Sequence, residues 1–207
     1  MNILEKFGII PIDYSTIVSV LPSYKSPKDK IAALEKSGEI IRLKKGLFVV
    51  APMFHHLPIS KELIANHLYG PSYISLETAL SIYGMIPERV YSIRSISAKR
   101  TKQLHTKLGL FDYVYVSEAY YHIGLRQNIV NKKYAYLIAS PEKALCDLIV
   151  TTARLRLQSV KAIQIYLEED LRLDFSLNDF DAEIVRQCID AGRNKIELRN
   201  LLKFLEQ

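Results

Sequence analysis

A helical stretch that runs directly into a forced chain reversal, between Ser26 and Val50, limits the fold more than any other part of this sequence. Ser26-Pro27 sets a capping residue before a proline suited to a first helical turn, and Asp29 follows three residues after the cap. The spacing predicts a helix over Lys28–Ser37 that buries Ile31 and Leu34 and stops at Gly38. Ile40-Ile41-Arg42-Leu43 and Leu47 to Val50 are β-friendly runs, and Gly46 can take the positive φ of a tight turn. Two short strands joined at Lys44-Lys45-Gly46 follow from this. Upstream, Ile12–Leu21 predicts another helix, with Asp13 as its cap, Pro22 as its stop and Ser23-Tyr24-Lys25 as a short turn.

Helix, tight turn, capped helix and hairpin is the order of a winged helix-turn-helix, expected here over residues 1–52. In that geometry the second helix enters the major groove of DNA and flanking elements grip the backbone. At 100° per residue, Ile31 and Leu34 face the core. Lys25, Ala32, Ala33 and Lys36 lie opposite, with Lys28 and Lys30 on the flanks. The two alanines permit close approach to a groove, and Asp29 on the same side is accounted for by its place at the helix start. Lys25, Ser26, Lys28, Lys30 and Lys36 are therefore candidate contacts to backbone and groove edge. Arg42, Lys44 and Lys45 at the hairpin tip are candidate phosphate ligands. The plainer alternative, a solvated helix and a water-facing tip, uses the same residues.

Charge favours an anionic partner without fixing it. Residues 1–157 carry 21 Lys and Arg against 12 Asp and Glu, whereas residues 158–207 carry 7 against 10. No run approaches the roughly 18 apolar residues of a membrane span. The start, Met1 to Lys6, lacks the pattern of a secretion signal. Cys146 and Cys188, without CxxC spacing, suggest buried thiols of a cytoplasmic protein.

Residues 53–207 are expected to form a larger α+β domain, with a small sheet and C-terminal helices. Met53 to Pro58 suggests a linker, followed by helices near Ser60–Leu68 and after Ser75, the latter closing at Gly84. Alternation around Val90–Ile96, Phe111–Val116 and Tyr134–Ile138 predicts strands of an antiparallel or mixed sheet. Ser140-Pro141-Glu142 starts another helix running to about Thr152, and helices near 159–169, 180–191 and 195–206 finish the chain. A second basic cluster, Arg94, Lys99, Arg100 and Lys102, is either a solvated loop or an extension of the basic face. His55, His56 and His67 lack the spacing of a metal site, so no metal and no cofactor are expected. Nucleotide-binding and nucleophile motifs are missing, and Glu142 with Asp147, five apart, is better explained structurally than as a catalytic pair. The 13 tyrosines fall mostly in strand patterns, where cross-strand packing accounts for them. No enzymatic activity is expected.

Three stretches together resemble the AbiEi antitoxin family. GEIIRLKKGLFVVAP is similar to its wing, with Lys45, Gly46 and Phe48 at the turn. SYISLETALSIYGMIPERV resembles the segment after the head, with Ser75, Leu76, Thr78, Ala79, Leu80, Gly84 and Pro87 in order. IASPEKALCDLI, residues 138 to 149, resembles the family's Pro-Glu-Lys-Ala-Leu-x-Asp-Leu helix start. The resemblance covers roughly residues 13 to 150. It implies a bacterial autorepressor that binds double-stranded DNA at its own promoter through the winged helix. It also implies an antitoxin of a type IV abortive-infection pair, countering a nucleotidyltransferase-like toxin without a stable complex. Lys45 stands where the family more often has Arg, which keeps the charge but loses the planar fork. The competing expectation is an interaction module whose winged helix binds protein rather than DNA.

Overall fold

The computed structural model describes residues 3–21, 24–87, 90–174 and 180–206. The chain is a mixed α+β protein. It opens with a 3-10 turn, Ile3–Phe7, followed by β1 (Ile12–Asp13) and α1 (Tyr14–Ser19). Helix is expected from Ile12, but Ile12 and Asp13 pair antiparallel with Phe48 and Leu47, so the helix starts two residues later. Asp13 caps it, its carboxylate accepting from the Thr16 N–H at 2.7 Å. The stop expected at Pro22 and the turn at Ser23 lie outside the described residues.

Helix α2 spans Pro27–Lys36 with Ile31 and Leu34 buried. Ser26 is its cap residue by position but makes no side-chain capping bond, which corrects the capping role expected of its hydroxyl. The far end closes as anticipated. The Glu39 N–H reaches the Leu34 carbonyl and the Gly38 N–H the Glu35 carbonyl, while Gly38 takes φ +76°. That paired closure is the Schellman arrangement, and it turns the chain straight into a strand. Strands β2 (Ile40–Lys44) and β3 (Leu47–Val50) form the hairpin, with Gly46 at φ +78° and an irregular register between Arg42 and Lys44. With β1 they make a three-stranded sheet in the order β1-β3-β2. Behind it lies a small core that includes Leu4, Ile12, Ile17, Ile31, Leu34, Ile40, Phe48 and Val50.

Past a 3-10 turn at Pro52–Phe54 come α3 (Lys61–Leu68), β4 (Ser72–Ile74), α4 (Leu76–Ile82) and β5 (Ser92–Ser97). Next are β6 (Lys102–Thr106), β7 (Gly109–Tyr115), α5 (Glu118–Tyr121), β8 (Leu125–Val130) and β9 (Tyr134–Ala139). The chain ends with α6 (Pro141–Thr151), α7 (Val160–Ile165) with a π-helical turn, α8 (Ala182–Ala191) and α9 (Lys195–Leu205). The larger sheet has six strands in the order β6-β7-β5-β4-β9-β8. It is mixed, since β5 runs parallel to β7 and β4 to β9 while the other pairs are antiparallel. Helix α6 is buried along nearly its whole length, Pro141 to Val150, and anchors the second core.

The two cores meet at the hairpin. Ile9, Leu43 and Val49 belong to the larger apolar cluster, although Ile40, Phe48 and Val50 belong to the smaller one. Alternation along a strand explains the split, because successive side chains leave opposite faces of the sheet. Hairpin and second lobe are thus packed together rather than joined only through residues 51–60. Among the described residues no helix is long and apolar enough to cross a membrane.

Candidate nucleic-acid interface

The cations singled out from the sequence separate into three groups. Lys25, Ser26, Lys28 and Lys36 are exposed around α2, as are Ala32 and Ala33, while Ile31 and Leu34 are 2% and 5% exposed. Among the described residues none of those three lysines has an ion-pair partner. Lys30 leans instead over the Tyr24 ring, 5.2 Å from its centroid. Lys45 is exposed at the tip and, with Lys28 and Tyr14, lines a groove of about 400 Å3 floored by Ile31 and Phe48.

Arg42 is engaged within the protein. Its Nε lies 2.8 Å and its Nη2 2.5 Å from Glu35 Oε2, and its guanidinium stacks over Phe48 at 5.0 Å. Lys107, from the turn between β6 and β7, reaches the same carboxylate at 3.6 Å. Glu35 therefore ties α2, the hairpin and the second lobe together. Hydrogen bonding from Arg42 holds its carboxyl below the usual range, against the opposing effect of partial burial.

Lys44 turns away from Lys45 and toward the second lobe. Its ammonium donates to the Leu68 carbonyl at the end of α3. There it joins Lys99 and Lys102, whose ammonium groups lie 5.7 and 5.2 Å from the centroid of the Tyr69 ring. Lys99 also donates to the Gly70 carbonyl, and the Tyr69 hydroxyl donates to the Arg100 carbonyl at 3.2 Å. Burial first, then Lys102 and Lys99, push the Lys44 ammonium below its ordinary value. Among the described residues these three cations have no carboxylate partner. Lys99 and Lys102 thus lie over the Tyr69 ring and Lys44 beside them, a concentration of positive charge at the seam between hairpin and second lobe.

The second basic cluster is thus divided. Lys99 and Lys102 reach the hairpin, and the Arg100 residue is exposed beside them. Arg94 does not join, because it pairs with Glu77 on α4. The cluster is not simply a loop, since Lys102 begins β6, which pairs with β7. Sequence inspection missed Tyr69, the ring on which the cations converge. Its position just before Gly70-Pro71, at the end of an amphipathic helix, was the available signal.

A second polar constellation, also missed, is sealed inside the larger lobe. Lys143 and Asp147, four apart on α6, are both 0% exposed, with Nζ 2.9 Å from Oδ1. Asp147 Oδ2 accepts from Ser75 Oγ at 2.6 Å and from the Tyr73 hydroxyl at 3.1 Å. Lys143 donates to the Tyr120 carbonyl at 3.2 Å, and its ammonium sits 3.2 Å from the centroid of that ring. Ser75, expected to cap α4, spends its hydroxyl here and makes no capping bond. Burial, reinforced by the Asp147 carboxylate, raises the Tyr73 hydroxyl well above an ordinary phenol. Glu142, on the same helix, accepts instead from the Asp181 N–H at 3.0 Å. The i,i+4 spacing of Lys143 and Asp147 in a helix that is apolar at most other positions was the sequence signal for this pair. The group is closed to solvent and holds α6 against β4 and α5. Cys146 and Cys188 are free and buried.

No protein-family model matches the chain, and no curated protein matches it.

Proposed function

We propose that this protein binds double-stranded DNA through a winged helix-turn-helix head, with the second lobe adding a phosphate clamp beside the hairpin. The observation that carries this reading is the cluster of Lys99 and Lys102 over the Tyr69 ring with Lys44 beside them, without a carboxylate partner among the described residues. Carbonyl hydrogen bonds and the Tyr69 ring hold these ammonium groups in place but leave their mutual repulsion uncompensated, and a bound anion would supply the missing charge. Exposed Lys25, Lys28, Lys36 and Lys45 extend the cationic surface along α2 and the hairpin tip. The small outer face of α2 suits approach to a groove. Arg42 serves in this reading as a brace for the hairpin, because Glu35 already occupies its fork.

The resemblance of the wing, the 72–90 segment and the α6 start to AbiEi antitoxins suggests the biological setting. In that setting the chain represses its own operon and opposes a nucleotidyltransferase-like toxin without a lasting complex. Binding to a duplex from the chain's own upstream region, titrated at several salt concentrations, tests the DNA reading. The expected result is a sequence-dependent complex whose affinity falls steeply with salt. Wild-type affinity and salt slope retained in Lys44→Ala/Lys45→Ala would refute the hairpin assignment.

A second reading, a head that binds protein, draws on the apolar floor of the groove between α2 and the hairpin. It requires a chain that shows no salt-sensitive shift with any duplex, so the same titration separates the two.

A further inference from the structure

The larger lobe has a second cationic concavity, remote in sequence from the head. It lies where α6 ends and α9 begins, has a volume of about 650 Å3, and is lined by Thr152, Arg154, Arg156, Gln158, Arg193 and Glu197 among others. We propose that this cavity binds a phosphate-bearing small molecule of nucleotide size.

Three features point to an anion. Arg154 and Arg156 come from the loop after α6, and Arg193 from the turn between α8 and α9. Two separate segments thus bring three guanidinium groups to one cavity. Among the described residues none of the three has an ion-pair partner. The carboxylate at the wall, Glu197, is 8% exposed and accepts from Gln158 Nε2 at 2.6 Å, so it belongs to the wall.

The backbone adds to the same field. Helix α9 has 11 residues, and its cap residue Asn194 makes no side-chain capping bond. Asn194 instead donates to the Ile149 carbonyl at 2.7 Å, which leaves the first-turn N–H groups without that cap. A helix start adds a partial positive charge where the arginines already gather. Arg154 itself holds φ +62°, the left-handed region that a residue with a Cβ enters only at a cost. The volume falls within the range of roughly 300–1,000 Å3 typical of small-molecule sites. Planar guanidinium forks match phosphate oxygens in pairs, which argues for a phosphate over a carboxylate of the same charge.

The proposal is independent of the DNA reading and is tested on the full chain. A fluorescent N-methylanthraniloyl ATP is titrated by anisotropy, with pyrophosphate and adenosine as competitors. Saturable binding is expected, displaced by pyrophosphate and not by adenosine. Arg154→Ala and Arg193→Ala should each weaken it about 10-fold, equivalent to about 1.4 kcal/mol and to one charge-assisted hydrogen bond. All three arginines are exposed, so these variants should melt as wild type does, and Arg156→Gln serves as the variant if either of the others misfolds. No saturation up to about 1 mM, a limit of about −4 kcal/mol, overturns the proposal. So does undiminished affinity in the arginine variants, or a loss that follows Lys28→Ala/Lys45→Ala instead, since the latter would place the probe on the head.

Discussion

On the proposed DNA reading, replacing Lys99 and Lys102 with alanine should move DNA affinity and folding stability in opposite directions. Each phosphate contact contributes about 0.9 to the slope of log affinity against log salt, so losing two should flatten that slope by about 1.8 units. Between about 50 and 200 mM salt the logarithm of concentration rises by about 0.6. Wild type should therefore lose about 12-fold more affinity over that range than the double variant. Stability responds through Lys44. Burial, Lys102 and Lys99 set its folded pKa below its unfolded value. The protonated ammonium consequently opposes folding at neutral pH, and this opposition fades only as pH rises through the folded pKa. Removing its strongest repelling neighbour, as in Lys102→Ala alone, should raise the urea midpoint at low salt. That gain should shrink near 1 M salt, where screening acts within about 3 Å. Anisotropy of a labelled upstream duplex gives the slopes, and tyrosine fluorescence in urea gives the midpoints. Slopes that agree within about half a unit would show that these lysines meet no phosphate. A fall in midpoint for Lys102→Ala would show that the cluster is not strained by repulsion.

The buried pair on α6 should be far more sensitive to losing one partner than both. Asp147→Ala leaves the Lys143 ammonium stranded at 0% exposure and should cost about 3–5 kcal/mol, whereas Lys143→Met/Asp147→Leu should recover much of that in urea titrations. For Glu35, the folded pKa lies below its unfolded value of 4.5, so its contribution to stability is present above that pH and lost as pH falls through the folded value. Urea midpoints of wild type and Glu35→Gln should accordingly differ at pH 6 and converge under acid conditions. Gly46→Ala should cost only about 1–2 kcal/mol, since it needs a positive φ but a Cβ there meets nothing within 4 Å. Gly124→Ala should cost more, because the added Cβ would also sit 2.8 Å from Lys143 Cβ and 2.9 Å from Ile184 Cγ2.

Local physics was legible in the residues themselves. The stop at Gly38, the reversal at Gly46, the Asp13 cap and the burial of Ile31 and Leu34 all depend on neighbours within about one turn or one hairpin, and those neighbours are adjacent in sequence. Two local expectations gave way to distant partners. Ile12 and Asp13 became a strand because β3 offered an edge, and Ser75 left its helix cap because Asp147, 72 positions away, needed a donor. Charge counting located the lysines but not their company. Lys44 and Lys45 are consecutive in a strand and its turn, yet one meets Leu68 and the other faces the α2 groove. Only packing of the hairpin against the larger lobe decides that Lys44 joins Lys99 and Lys102, or that Arg154 and Arg193 share a cavity. Hydrogen bonding within a turn is encoded by spacing along the chain. An electrostatic cluster is a sum over distances in space, and those distances are fixed only when the two cores close on each other.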